Sequence, residues 1–198
     1  MLINSMNAIC IYCGSSSGAR PIYLELAMAM GRSLAQRGIA LVYGGAAVGL
    51  MGAVADGALA AGGRVIGVIP HALESKEIAH RGLTELHVVG GMHERKAMLI
   101  ELSDALIALP GGFGTWDELC EAVTWAQLGV HAKPCGVLNA EGYYDGLLAQ
   151  LDRAVADGFV RAHHREILVV DDEVESLLDR VVVHRVPNLP KWVGPESA

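Results

Sequence analysis

The residues with the clearest chemical meaning form a short glycine-rich loop after an apolar run. The loop reads Pro110-Gly111-Gly112-Phe113-Gly114-Thr115, and the run before it ends at Leu109. Glycine lacks a Cβ and so lets backbone N–H groups approach an anion, and the N-terminus of a following helix adds partial positive charge. Phosphate is the natural ligand of such a loop. The spacing matches neither G-x-G-x-x-G nor G-x-x-x-x-G-K-[ST], so it indicates neither a dinucleotide fingerprint nor a Walker loop.

Two other loops carry similar residues, and each also follows an apolar run. One begins with Cys13 and contains Gly14 and Ser15, and the other begins with Gly44 and Gly45. Glycine after a strand is ordinary turn chemistry, so one loop alone would say little. In a parallel sheet, however, the loops that follow the strands meet at one edge, where ligands bind. Three such loops therefore predict a shared anion pocket.

A carboxylate follows the first loop at Glu118 and admits two interpretations. The stretch Thr115-Trp116-Asp117-Glu118 fits the capping box, with Thr115 as helix N-cap and the glutamate reaching back to its N–H. Alternatively, the helix dipole holds a first-turn carboxylate ionised, which suits a base or a stabiliser of a cation. The two roles are compatible, and the spacing leaves both open.

Two cations begin another predicted helix. Arg95 shares a helical stripe with Met98, Leu99 and Leu102, so its guanidinium should point inward. Cations in a first turn oppose the helix dipole by a few tenths of a kcal/mol to about 1 kcal/mol unless an anion binds there. This favours a functional role for Arg95. Lys96 is either a second anion-binding group or a solvated side chain.

The elements that must position these residues alternate from end to end, as in βαβ units. We expect a single α/β domain over residues 1–198, Rossmann-like, with an open parallel sheet and helices on both faces. A proline-containing tail should begin at about residue 187. The predicted strands are Ala8–Tyr12, Ala40–Tyr43, Arg64–Ile69, Glu85–Val89, Ala105–Leu109, Cys135–Leu138 and Ile167–Val170, and the predicted helices are Ile22–Arg37, Leu50–Ala61, His93–Ser103, Trp116–Leu128, Tyr144–Asp157 and Glu173–Val183.

Composition excludes several classes of protein. Hydrophobic residues make up 52% of the 198, and the net charge of −7 argues against a broad basic face for nucleic acid. The uncharged stretch Gly38–Ala55 contains five glycines and a tyrosine, so it indicates a strand, a loop and a helix start, with no membrane span. Cys10 and Cys13 lie in an apolar run and the histidines lack ligand spacing, so we expect structural thiols, no metal and a cytoplasmic location.

The motifs together resemble one family. Pro110–Glu118 is similar to the PGGxGTxxE signature of the LOG ("lonely guy") family of cytokinin riboside 5′-monophosphate phosphoribohydrolases, long labelled lysine decarboxylases. The likeness covers nearly the whole chain, from Cys13-Gly14-Ser15-Ser16 to Thr124–Gly129. It implies hydrolysis of the N-glycosidic bond of AMP, or of N6-modified AMP, to free base and ribose 5-phosphate, with no cofactor. It also implies a homodimer with the site near the subunit interface.

The resemblance assigns roles to individual residues. Arg95 and Glu118 would form the catalytic pair, and the loop Gly111–Thr115 would hold the 5′-phosphate. Asp117 stands where many relatives have glutamate, a longer side chain. The substrate-binding residues expected on these grounds are Gly14, Ser15, Gly44, Gly45, Glu77, Lys96, Gly111, Gly112, Phe113, Gly114, Thr115, Asp117 and Thr124.

Two other functions compete with this one. A decarboxylase that uses pyridoxal phosphate would need a Schiff-base lysine, and only Lys96 of the chain's four lysines lies near the glycine loops. A non-catalytic nucleotide or cofactor carrier could use the same loops. Such a carrier would not need Arg95 and Glu118 together, and it would leave AMP intact.

Overall fold

Seven parallel strands form the centre of the computed structural model, which describes residues 6–74 and 78–187. The strands are β1 (Ala8–Tyr12), β2 (Ala40–Tyr43), β3 (Val65–Pro70), β4 (Glu85–Val89), β5 (Ala105–Ala108), β6 (Cys135–Leu138) and β7 (Leu168–Asp171). Their order across the sheet is β4-β3-β2-β1-β5-β6-β7. The chain builds outward from β1 to β4 and then returns to the other side of β1, so the strand order reverses between β1 and β5.

Helices cover both faces of this sheet. They are α1 (Pro21–Gln36), α2 (Gly49–Ala60), α3 (His71–Glu74), α4 (Met92–Glu101), α5 (Phe113–Gln127), α6 (Asp145–Ala156), α7 (Ala162–Arg165) and α8 (Val174–Val183), with a 3₁₀ turn at Ala140–Gly142. Ile9 and Ile11 of β1 pack with α1, α2 and α8, whereas Cys10 and Tyr12 pack with α4 and α5. Successive side chains of a strand point to opposite faces, so one strand serves two core layers. None of the described helices has the length and apolar character needed to cross a bilayer.

The predicted fold class is confirmed, and most boundaries differ by one residue. Strands β1, β2, β4 and β6 begin and end where the residue pattern predicts. Helices α3 and α7 and the 3₁₀ turn were not predicted, because four residues or fewer are too short to show a helical period. The predicted tail lies outside the described residues beyond Pro187. Helix α5 begins at Phe113, three residues before the predicted start, and this difference changes the interpretation of the site.

Candidate active site

The three glycine loops meet in one cleft at the carboxyl ends of β1, β2 and β5. The cleft has a volume of about 400 Å³, a size that suits a small-molecule ligand. It lies where the strand order reverses, which is the usual place for ligands in open α/β sheets. The predicted site residues that line it are Gly14, Ser15, Gly44, Arg95, Lys96, Gly112, Phe113, Gly114, Thr115, Asp117 and Glu118.

The loops are hydrogen-bonded to one another. Gly14 N donates to Pro110 O at 3.1 Å, and Leu50 N donates to Gly14 O at 3.0 Å. A Cβ on Gly111 would clash with the side chain of Thr115, so this position must be glycine if the loop is to fold back on its helix. The backbone at this edge of the sheet is therefore fixed before any ligand arrives.

The N-terminus of α5 faces the cleft without a side-chain cap. Gly112 is the N-cap residue and has an extended backbone; as a glycine it has no side chain to cap the first turn. The first helical hydrogen bond runs from Trp116 N to Gly112 O at 3.1 Å. Thr115 lies inside the helix and is buried, so its prediction as N-cap is wrong. The amides of the first turn remain available to an anion.

Arg95 and Glu118 form a buried pair at the cleft wall. Arg95 Nη1 lies 3.4 Å from Glu118 Oε1, and the two side chains are only 11% and 10% exposed. Arg95 Nε donates to Val68 O at 3.2 Å, which fixes the guanidinium plane. A Cβ on Gly44 would clash with the guanidinium. The inward direction predicted for Arg95 is confirmed.

Glu118 is therefore not a capping residue. It lies beyond the first turn of α5, where its carboxylate meets Arg95 and no side-chain cap forms. Burial raises the pKa of Glu118 above its ordinary value, and the charge of Arg95 acts in the opposite direction. The expectation that the helix dipole holds this carboxylate ionised needs correction, because the charge that favours ionisation is that of Arg95.

Lys96 bridges two carboxylates on α5. Its Nζ lies 3.1 Å from Asp117 Oδ2 and 3.2 Å from Glu121 Oε1, with the lysine side chain 12% exposed. Burial lowers the pKa of Lys96, but the hydrogen bonds to the two carboxylates outweigh burial and raise it overall. The Lys96 ammonium is thus fixed at the cleft by two ion pairs, and the alternative that Lys96 is a solvated side chain is wrong.

Some predicted substrate-binding residues lie elsewhere. Thr124 is exposed further along α5, and its hydroxyl donates to Cys120 O at 2.7 Å. Gly45 has a positive φ of 76° and packs against Ile69, behind the cleft surface. Gly111 belongs to the loop but does not line the cleft. Glu77 lies outside the described residues.

Two tyrosines that support the glycine loop were not predicted. Tyr143 Oη donates to Gly111 O at 2.5 Å, and Tyr144 Oη donates to Leu109 O at 2.6 Å. Both lie after β6, more than thirty residues from the loop. No local pattern signals such a contact, because it depends on β6 lying next to β5 in the sheet.

Comparison with known proteins identifies the family. Residues 51–181 match the family model described as possible lysine decarboxylase. The chain is 50% identical over 173 residues to the probable cytokinin riboside 5′-monophosphate phosphoribohydrolase LOGL9 of Oryza sativa subsp. japonica, covering 87% of this chain and 76% of that one. The chain belongs to the LOG family. This family includes LOG1 of Arabidopsis thaliana, a cytokinin riboside 5′-monophosphate phosphoribohydrolase that is 46% identical over 189 residues, covering 96% of this chain and 88% of LOG1.

Solved structures share the fold of this LOG-family chain at lower identity. The molybdenum cofactor binding protein of Rippkaea orientalis superposes with a TM-score of 0.68 at 24% identity, covering 89% of this chain and 95% of that one. The Moco carrier protein of Chlamydomonas reinhardtii gives a TM-score of 0.67 at 22% identity, with the same coverage. These likenesses support the Rossmann-like fold alone.

Proposed function

We propose that this chain hydrolyses the N-glycosidic bond of adenosine 5′-monophosphate, plain or N6-modified, to free base and ribose 5-phosphate. The observation that carries the proposal is the buried Arg95–Glu118 pair, 3.4 Å apart, beside the uncapped N-terminus of α5 in one cleft. Relatives that are about half identical over most of the chain are named as phosphoribohydrolases of this kind. Their names and the local chemistry point to the same reaction.

The reaction needs charges of opposite sign at its two ends. As the C1′–N9 bond breaks, positive charge develops on the ribose C1′ and negative charge on the departing base. Glu118 stabilises the ribosyl cation or orients the attacking water, and Arg95 stabilises the leaving base. The water oxygen bonds to C1′, and its proton balances the charge on the released base.

Phosphate binding positions the ribose for this step. The amides of Gly112 to Thr115 hold the 5′-phosphate, and Gly14, Ser15 and Gly44 complete the wall around the nucleotide. Lys96 and Asp117 contact the ribose or the base. Binding energy from the remote phosphate thereby serves the bond that breaks.

Product analysis tests the proposal. The purified chain is incubated with AMP and with N6-isopentenyl AMP, and the products are separated by chromatography. Equimolar free base and ribose 5-phosphate are expected, and the ratio of the two rates gives the preferred N6 substituent. A nucleotide that binds and is recovered intact would instead establish a carrier.

The decarboxylase alternative has little support in the geometry. A lysine that forms a Schiff base must lose its proton, and such lysines have lowered pKa values. The pKa of Lys96 is raised by its two carboxylate partners. Burial lowers the pKa of Lys133, but its Nζ donates to the carbonyl of Ile100 and it does not line the cleft. Lys76 and Lys191 lie outside the described residues.

The purified protein should therefore show no visible absorbance from pyridoxal phosphate. Base release should also continue in a metal chelator, because the proposed roles of Arg95 and Glu118 need no metal ion. Absorption spectra and base-release assays with and without chelator check both statements. A bound chromophore whose removal abolishes activity would restore the decarboxylase.

We also propose that the chain forms a homodimer. Phe113 is 86% exposed and packs edge to face on Trp116, with ring centroids 5.4 Å apart, at the mouth of the cleft. Trp116 is itself 39% exposed, so the two rings form an exposed apolar patch. Exposed apolar surface of this kind marks a protein interface. Light scattering should give twice the chain mass of 20.9 kDa, and a monomer at micromolar concentration would contradict the dimer.

A cytoplasmic location is part of the same proposal. All four cysteines are free thiols, and Cys10, Cys13 and Cys135 are buried. Free thiols are typical of a reducing compartment. Cell fractionation with an antibody to the chain tests this location.

A further inference from the structure

Two tyrosine hydroxyls hold the glycine loop from the side that faces away from the cleft. Tyr144 donates to the carbonyl of Leu109, the residue after β5, and Tyr143 donates to the carbonyl of Gly111. Neither tyrosine lines the cleft, whereas Gly112 does. The Gly111 carbonyl is thus tied to the protein behind the loop.

This tie also fixes an N–H group. In a trans peptide the C=O and the next N–H lie in one plane and point in opposite directions, so the bond to Gly111 O determines where the Gly112 N–H points. A peptide between two glycines has no side chain to restrict its rotation. The hydrogen bond from the Tyr143 hydroxyl to Gly111 O restricts the rotation of the Gly111–Gly112 peptide.

Tyr143 is itself held in place. Its ring packs edge to face on Tyr23 of α1 and on Tyr144, with centroids 5.7 Å and 5.0 Å apart. The turn that carries it is closed by Asn139, whose side chain accepts from Tyr144 N at 2.7 Å and donates to Asp145 at 2.8 Å. The hydroxyl therefore meets the loop in a defined position.

We propose that Tyr143 is a positioning residue for phosphate recognition, because its hydroxyl orients the Gly111–Gly112 peptide toward the 5′-phosphate. The inference rests on the proposed function, since it assumes that the phosphate binds at this loop. It has a selective consequence. Loss of the hydroxyl weakens every ligand that carries the phosphate by a similar factor and leaves binding of the free base unchanged.

The test compares Tyr143→Phe with the matched control Tyr43→Phe. Tyr43 is fully buried, and its hydroxyl has no hydrogen-bond partner among the described residues. Calorimetry with ribose 5-phosphate, AMP and adenine should show Tyr143→Phe binding both phosphates roughly three- to tenfold more weakly, as expected for one hydrogen bond. Tyr43→Phe should stay within about twofold of the unsubstituted protein for all three ligands.

The possible outcomes separate this role from a structural one. Phosphate affinity within about twofold of the unsubstituted protein, even with a lower melting temperature, would overturn the positioning role. Weakening of adenine by the same factor would overturn it too. If Tyr143→Phe weakens binding of ribose 5-phosphate while the unsubstituted protein releases no base from AMP, the proposed reaction fails and the positioning role stands. If the unsubstituted protein binds neither ribose 5-phosphate nor AMP, the proposed reaction and the positioning role both fail.

Discussion

Replacing Glu118 with glutamine should slow base release from AMP about 100-fold or more, which corresponds to about 3 kcal/mol in the activation barrier. Glutamine keeps the size of the side chain beside Arg95 but removes the negative charge proposed to face the ribosyl cation. AMP should still bind, because the amides at the N-terminus of α5 are unchanged. Single-turnover base release and calorimetric AMP affinity, measured on the same preparation, check the two statements.

The same variant has a defined expectation for stability. Because burial raises the pKa of Glu118, the folded chain favours the protonated carboxyl more than the unfolded chain does. Above the unfolded pKa, the ionised group therefore disfavours folding, and a neutral glutamine should leave the melting temperature unchanged or slightly higher. The exposed Glu101→Gln on α4 is a matched control and should change neither turnover nor stability. Near-normal turnover in Glu118→Gln would refute the catalytic role.

Removing the phosphate from the substrate should have a still larger effect. We expect kcat/KM for adenosine to fall about a thousandfold or more below that for AMP, or about 4 kcal/mol. The nucleoside has nothing to occupy the N-terminus of α5, so its ribose is not held near Glu118. Steady-state assays with both substrates measure the ratio, and comparable turnover would contradict phosphate recognition by the glycine loop.

Added phosphite dianion provides a sharper form of this experiment. If the loop acts by binding a dianion that positions the ribose, phosphite should accelerate adenosine cleavage by filling the empty phosphate site. Chloride at equal ionic strength is the control. Inhibition of adenosine cleavage by phosphite would show that the two compete for one position.

The direction of Arg95 could be predicted because a helix repeats its contacts every three or four residues. The apolar stripe that Arg95 shares with Met98, Leu99 and Leu102 faces the sheet, so the guanidinium must lie there also. Glu85–Val89 was predicted as a strand from its apolar run, and in the structure it is the edge strand β4, in which more and less exposed side chains alternate. Periodic elements reveal their orientation in the sequence itself.

The start of α5 could not be predicted in the same way. Gly112 and Gly114 are poor helix residues, so residue preference places the start after them, at Trp116 with Thr115 as N-cap. In the structure the glycine loop is held from outside, by Gly14 on one side and Tyr143 on the other, and the helix begins at Phe113. Contacts between distant parts of the chain decide this boundary.

The missing side chain of Gly44 also offers a criterion for classifying other chains of this fold. Space for the Arg95 guanidinium exists only because position 44 has no Cβ. In a chain that keeps the glycine loop but carries a larger residue at this position, the arginine side chain would have to move from the place that Arg95 occupies. On the proposed mechanism such a chain would still bind a phosphate, yet it would lack the cation placed to stabilise the leaving base. If Arg95 has the proposed role, positions 44 and 95 taken together would separate sequences able to cleave a nucleotide from those that only bind one.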